Sequence, residues 1–118
     1  MKVLALGGDG IGPEVVGAGL DVLNCVAEVE KLDIEVEEDL LHGAAYDKYG
    51  TFCRDETVVA AKDADAVLVG SVGGPKWDNL NVGETPADKD GLVRLRQELD
   101  VYSGLRPARA HASLLSRT

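Results

Sequence analysis

The stretch MKVLALGGDGIGPEV, residues 1–15, places an apolar run directly before a glycine-rich turn. The run over residues 1–7, with a breaker after it, predicts a buried β-strand. Pro13 stands where the first turn of a helix accepts proline, and Glu14 suits the positive end of the helix dipole. A helix to about residue 30 is predicted because apolar residues continue at roughly helical spacing, at Val15, Leu20, Val22, Leu23, Val26 and Val29. The glycine turn therefore joins the carboxyl end of a strand to the start of a helix.

The rest of the chain continues the alternation of strands and helices. The pattern predicts a strand over 32–41, a loop or turn over 42–51, a short helix over 55–62, a strand over 64–74, a long polar loop over 75–90, a helix over 91–104 that a glycine ends, and an extended segment over 105–111. This order predicts an α/β fold with a mainly parallel sheet flanked by helices. Ligands then bind at the carboxyl ends of the strands, where both glycine-rich turns fall.

Composition narrows the possible partners. The 118 residues carry a formal net charge of −9, which argues against a nucleic-acid partner. Residues 1–90 hold 7 basic and 19 acidic residues, whereas residues 91–118 hold 5 basic and 2 acidic ones. The basic end indicates either a local anion site or a chance distribution. Because the apolar stretches are too short for a membrane span or a signal peptide, a cytoplasmic protein without a membrane partner is expected.

The histidines and cysteines carry no pattern of a catalytic or metal site. Cys25 and Cys53 lie far apart, and we interpret Cys25 as a buried helix residue and Cys53 as a loop residue. His42 and His111 have no partners at suggestive spacing, and the many carboxylates form no metal cluster. We therefore expect this chain to supply neither a catalytic proton-transfer residue nor a metal ligand.

The first glycine turn departs from the dinucleotide fingerprint. That fingerprint needs glycines at its first, third and sixth positions, and counting from Gly8 the chain gives Gly8, Gly10 and then Pro13. The turn is thus either a tight strand-to-helix connection or a backbone surface that a flat ligand can approach closely.

The second turn, GSVGGPKWD over residues 70–78, offers the same two alternatives. Gly73 and Gly74 let backbone N–H groups face a ligand, Pro75 stiffens the exit, and Lys76 can meet an anion. Trp77 is interpreted as a partly buried packing residue.

The predicted helix from residue 91 carries the sharpest site pattern. Leu92 and Arg96 are four residues apart and share one face, and Arg106 follows in the next segment. Guanidinium groups bind carboxylates in bidentate fashion, so this set predicts a ligand with two anionic groups and one apolar branch. In the alternative interpretation Leu92, Leu95, Leu99 and Tyr102 form a core stripe while Arg94 pairs with Glu98 on the surface.

Four motifs together resemble the isocitrate/isopropylmalate dehydrogenase family, namely GDGIGPEV, HGAAYDKYG, GSVGGPKWD and GLVRLRQELDVYSGLRPAR. The likeness runs along nearly the whole chain and is greatest to the isopropylmalate branch, because Leu92 stands where isocitrate enzymes have asparagine. It implies NAD-dependent oxidative decarboxylation of 3-isopropylmalate in leucine biosynthesis. Enzymes for isocitrate, homoisocitrate or tartrate, and a non-catalytic nucleotide-binding module, are the alternatives.

The resemblance also implies roles for individual residues. Ile11 is expected to contact NAD, and the turn from Gly73 through Gly74 and Pro75 to Lys76 to flank its nicotinamide side. Arg96 and Arg106 are expected to bind the carboxylates of a small dicarboxylate substrate, and Leu92 its isopropyl group. Two positions depart from the family pattern: Gly7 stands in place of a proline, and Lys89 in place of a glutamate near the nicotinamide.

The family enzymes are about three times longer than this chain. The resemblance therefore implies that residues 1–118 are an N-terminal portion, incomplete relative to the family. The catalytic tyrosine and lysine and the aspartates that hold Mg²⁺ or Mn²⁺ are expected downstream, and the intact enzyme is expected to be a homodimer. Because C-terminal strands share the sheet in this family, the segment alone is expected to expose a sheet edge and apolar surface.

Overall fold

The computed structural model describes residues 1–80 and 82–111. The elements are β1 (Lys2–Gly8), α1 (Gly12–Glu30), β2 (Glu35–Asp39), α2 (Gly43–Tyr49), α3 (Asp55–Asp63), β3 (Ala66–Ser71), α4 (Pro86–Lys89) and α5 (Gly91–Glu98). The three strands are parallel and lie in the order β2-β1-β3. The predicted α/β fold with a parallel sheet flanked by helices is confirmed, although β2 and β3 are shorter than the predicted strands 32–41 and 64–74.

β1 is the central strand, and its side chains alternate between the two faces of the sheet. Leu4 and Leu6 are fully buried on one face, in a core cluster that also contains Leu41, Cys53, Val58, Ala61 and Leu95. On the other face Ala5 pairs with Leu68 of β3, and Leu68 contacts α1 at Gly19. The helices α3 and α5 therefore cover one face of the sheet and α1 covers the other.

α1 has a second apolar stripe that faces away from the sheet. Pro13 lies in its first turn with Glu14, as predicted, and Val16 is buried. A stripe at helical spacing is nevertheless exposed, consisting of Val15, Val22, Val26 and Val29. Cys25 is also exposed, so its predicted burial is wrong; it lies off the sheet-facing side of the helix. Within the described residues β3 is an edge strand, so an unpaired sheet edge and an apolar helix face are both open.

The predicted loop over 42–51 is wrong, because Gly43–Tyr49 forms α2. Its first N–H groups donate to a carboxylate of the β1–α1 turn rather than to a capping residue of its own sequence. Gly50 ends the helix with φ 74°. The helix depends on a distant partner, which a local pattern does not reveal.

The carboxyl-terminal part also differs from expectation. The long loop over 75–90 contains α4, which is capped by Thr85 and Asp88 in a reciprocal capping box. α5 ends at Glu98 rather than near Gly104, because the chain takes a left-handed conformation at Asp100 with φ 50°. The described residues 105–111 form no strand.

The surface pairing expected for α5 is wrong as well. Arg94 donates to the carboxylate of Asp55 and to the carbonyl of Cys53, while Glu98 accepts from Lys62 at 3.0 Å. Arg94 thus ties α5 to the start of α3. None of the helices in the described part of the chain has the length and apolarity needed to cross a membrane.

Candidate functional site

Three chain segments meet at the carboxylate of Asp9, in the turn after β1. Asp9 is only 3% exposed. One carboxylate oxygen accepts from the N–H of Ala44 at 2.7 Å, and the other accepts from Gly43 at 3.1 Å and Gly73 at 2.8 Å. Three backbone donors, two of them at the start of α2, compensate for the burial of this charge. The first turn, α2 and the second turn are therefore joined through one side chain.

The backbone of Asp9 strengthens the same junction. Its N–H donates to the carbonyl of Ser71 at 2.6 Å, and its own carbonyl accepts from the Ser71 hydroxyl at 2.8 Å and from Gly12 N–H at 2.9 Å. Gly8 has φ 74°, and a Cβ there would overlap the Ser71 carbonyl. Only glycine fits at this close approach of the two strand ends. The two glycine-rich turns therefore form one surface at the carboxyl edge of the sheet.

The outer part of this surface is open backbone. Gly10 with φ 58° and Gly73 with φ 99° have no atoms within 4 Å of the position that a Cβ would occupy. Ile11, beside Gly10, is 63% exposed. Gly7 stands where the family pattern has proline. It lies against the ring of Pro13, and the turn is compact at this point. The arrangement fits the close approach of a flat ligand, which is the second of the two alternatives for these turns.

The second turn is also held by α2. Lys76 donates to Asp47 at 2.6 Å, and the Trp77 indole N–H donates to the other oxygen of Asp47 at 3.1 Å. Both hydrogen bonds lower the pKa of Asp47 from its ordinary value, and the one from Lys76 has the larger effect. The Trp77 ring is half-buried over Gly43 and Gly74, as predicted for a packing residue. The predicted anion partner of Lys76 is thus a carboxylate of the chain itself.

α5 begins beside this surface. The Asp90 side chain caps the helix by accepting from Leu92 N–H at 2.8 Å and Val93 N–H at 3.1 Å. Leu95 is buried in the core, and Leu92 and Leu99 pack partly against it, so the core-stripe interpretation holds for these three residues. It is wrong for Tyr102, whose side chain is fully exposed.

The remaining face of α5 lines an open groove. Leu92 and Arg96 contribute to a groove of about 690 Å³ together with Val69 and Gly70, at the carboxyl end of β3. Arg96 and Arg106 line an adjoining cavity of about 580 Å³. Neither guanidinium has a hydrogen-bond or ion-pair partner within the described part of the chain, in contrast to Arg94. Arg96 therefore borders both openings, with Leu92 in the groove and Arg106 in the adjoining cavity.

The predicted site residues thus form two groups. Ile11 and the segment 73–76 lie on the joined glycine turns, Leu92 and Arg96 line the groove along β3, and Arg106 lines the adjoining cavity. Sequence reasoning missed Asp9 and Asp47, which hold the turns. Asp9 could have been found from its place in the sequence, because it is an acid inside a glycine-rich turn directly after a buried strand. Among residues 1–80 and 82–111, no three His, Cys, Asp or Glu side chains are grouped as metal ligands.

The fold and the site geometry define an α/β segment with open turns at the carboxyl edge of a parallel sheet, where such folds bind ligands, and with an arginine-lined groove along β3. The family model for isocitrate/isopropylmalate dehydrogenases matches residues 2–118. The chain therefore belongs to the isocitrate/isopropylmalate dehydrogenase family.

Individual relatives agree with this assignment. The chain is similar to a 3-isopropylmalate dehydrogenase of Chlorobaculum tepidum, with 47% identity over 98% of the chain and 32% of the relative. It is 46% identical to one of Aquifex aeolicus, over 98% of the chain and 31% of the relative. A β-decarboxylating dehydrogenase structure from Thermococcus kodakarensis in its apo form aligns with a TM-score of 0.64 and 27% identity, over 84% of the chain and 26% of that structure. The chain spans about a third of the length of the curated relatives it matches.

Proposed function

We propose that residues 1–118 form the N-terminal portion of an enzyme that oxidises and decarboxylates 3-isopropylmalate with NAD in leucine biosynthesis. The observation that carries the proposal is the groove beside β3, which Leu92 and Arg96 line together, with Arg106 in the adjoining cavity that Arg96 also lines. The guanidinium of Arg96 is unpaired within the described part of the chain. A branched dicarboxylic acid matches this combination of one apolar and two cationic side chains. A cytoplasmic location and a homodimer belong to the same proposal and come from the family resemblance.

The two arginines bind and orient the substrate. Their guanidinium groups stay protonated near neutral pH, so Arg96 and Arg106 complement the carboxylates and transfer no proton. Leu92 receives the isopropyl branch. The proton-transferring groups and the ligands of a divalent cation are expected outside this chain, as the family resemblance implies.

The glycine turns receive the cofactor. The open backbone at Gly10 and Gly73 and the exposed side chain of Ile11 provide a surface for a flat ring system. When bound, NAD accepts a hydride from the hydroxyl-bearing carbon of the substrate. Asp9 and Asp47 keep the turns in place and have no contact with the reacting atoms in this proposal.

The test is a comparison of substrates with the natural gene product that contains these 118 residues. NADH formation is followed by absorbance with 3-isopropylmalate, isocitrate, homoisocitrate and tartrate in the presence of Mg²⁺. We expect 3-isopropylmalate to give the highest kcat/KM, and Leu92→Asn to reduce that preference about tenfold or more. Val93→Asn, on the same helix but outside the groove lining, is the matched control. An unchanged substrate ranking in Leu92→Asn contradicts the assignment of Leu92.

A second measurement uses the 118-residue chain alone. The chain spans about a third of the length of its relatives, so we expect no turnover. A different result would support the non-catalytic nucleotide-binding module: saturable NAD binding by this chain, together with no turnover by a longer protein that contains it.

A further inference from the structure

His42 occupies an unusual position between β2 and α2. It is 7% exposed, and its backbone has φ 58° and ψ −127°, a left-handed region that favours glycine. The imidazole stacks on Phe52 with 4.6 Å between ring centroids and 20° between ring planes. Its backbone N–H donates to the Phe52 carbonyl at 2.7 Å. The surrounding contacts therefore hold a non-glycine residue in a conformation that it rarely adopts.

The ring of His42 is bonded to the start of α5. The Gly91 N–H donates to His42 Nδ1 at 3.3 Å. A nitrogen that accepts a hydrogen bond carries no proton, so the neutral ring has its proton on Nε2. Gly91 also lies so close to the Phe52 carbonyl that a Cβ there would overlap it. The first residue of α5 is thus held from one side by His42 and Phe52.

We propose that His42 is a positioning residue for α5 and that protonation of its Nδ1 releases the start of this helix. A protonated Nδ1 becomes a donor that faces the N–H donor of Gly91, and it places a positive charge at the positive end of the helix. Because α5 carries Leu92 and Arg96, the helix start sets the position of both groove residues. This last step rests on the proposed function, whereas the contact itself does not.

Several charged groups surround the imidazole. The Asp90 carboxylate lies 3.8 Å from Nδ1, and Asp78 and Lys89 line the same cavity of about 260 Å³. From the β1–α1 turn, the Asp9 carboxylate accepts from the residue after His42. Asp90 and Asp78 are the acidic groups around the ring, and Lys89 and the positive end of α5 are the positive ones. Asp90 also caps α5, so a protonated His42 draws the capping carboxylate toward itself and away from Leu92 and Val93.

The experiment uses the natural gene product that contains residues 1–118, labelled with ¹⁵N-histidine and ¹⁵N-glycine. NMR follows the ring nitrogens of His42 and the Gly91 amide between about pH 5 and 8, the range in which histidine titrates. We expect the Gly91 amide to shift with the same midpoint as the His42 ring, and the neutral ring to carry its proton on Nε2. His42→Asn keeps an acceptor near Nδ1, tolerates positive φ and does not titrate, so its Gly91 amide should lack this inflection.

A kinetic measurement adds a readout that packing alone would not change. We expect the KM for the dicarboxylate to rise about three- to tenfold as pH falls through the His42 midpoint, with the KM for NAD unchanged. The rise should disappear in His42→Asn and persist in His111→Gln, the control at the other histidine.

Three results overturn the proposal: a Gly91 amide that ignores the His42 titration, a neutral ring protonated on Nδ1, or an unchanged acid-side rise in KM in His42→Asn. If 3-isopropylmalate is not turned over, the proposed function fails while the NMR titration still decides the role of His42.

Discussion

The Asp9 junction at the carboxyl edge of the sheet and the segment from Leu99 to His111, which follows α5, are built differently. At the junction a buried carboxylate takes three backbone hydrogen bonds from two other segments. Residues 101–111 have no regular structure, and their side chains are exposed. Contacts within the chain therefore hold the junction residues in place. The segment from Leu99 to His111, called the groove segment below, is largely exposed. Substitutions at the junction should change stability, and those in the groove segment should change ligand binding.

The largest expected effect comes from a matched pair of leucines. Leu95→Ala removes a side chain that is 2% exposed, and we expect a loss of about 3 kcal/mol in the free energy of unfolding. Leu105→Ala removes one that is 88% exposed, and the expected change is below about 0.5 kcal/mol. Urea unfolding followed by far-UV circular dichroism measures both. Equal losses would show that the groove segment is packed as firmly as the core.

Asp9→Asn tests the junction itself. The amide keeps one acceptor oxygen but turns N–H donors toward the donors of the chain, and we expect a loss of about 2 kcal/mol. Asp21→Asn, at an exposed acid of α1, is the control and should stay within about 0.5 kcal/mol. Trp77 is the single tryptophan of the 118 residues and lies on this surface, so its emission should shift to longer wavelength in Asp9→Asn. An unshifted spectrum would mean that Asp9 does not hold the second turn.

Arg96→Lys tests the open side. A lysine keeps the charge but loses the bidentate geometry, so we expect the KM for the dicarboxylate to rise about tenfold with little change in unfolding. Arg109→Lys, in the exposed segment that follows α5, is the control. Arg94→Lys should behave in the opposite way, because Arg94 is bonded to Asp55 and Cys53 and acts on stability. A loss of stability in Arg96→Lys would contradict the distinction between the two regions.

The smallest effect concerns pH at the second turn. Lys76 and Trp77 lower the pKa of Asp47, so their hydrogen bonds stabilise the turn above the ordinary value of 3.8. This contribution is lost as pH falls through the lowered pKa. Trp77 emission should therefore change below pH 3.8, and Asp47→Asn should lack that step. If Asp47→Asn shows the same change in Trp77 emission, another group causes it. Asp78→Asn is the surface control.

Local sequence patterns were enough to predict β1 and α1. An apolar run, a glycine turn and a proline in the first helical turn define β1 and α1 without reference to any other segment. The junction was not predictable in this way, because the donors that surround Asp9 come from residues 34 to 64 positions away. α2 was missed for the same reason, since its N-terminal partner lies in another turn.

The burial of individual residues was harder to predict than the elements. Cys25 sits among apolar residues at helical spacing, and such a stripe indicates burial only when something packs on it. α1 has two apolar stripes, and the described residues cover one. Spacing placed Arg94 in a surface pair with Glu98, and only the packing of α5 on α3 shows that its partner is Asp55.

The hydrogen bond between Lys76 and Asp47 has a consequence for any anion that binds at this turn. The ammonium group already has a carboxylate at 2.6 Å, so an incoming anion competes with a tethered one. Binding there is an exchange of partners, and its net free energy is the difference between two similar ion pairs. Such an exchange leaves the Trp77 indole as the remaining partner of Asp47 from the second turn. We therefore expect an anion bound at Lys76 to weaken the attachment of α2 to the second turn.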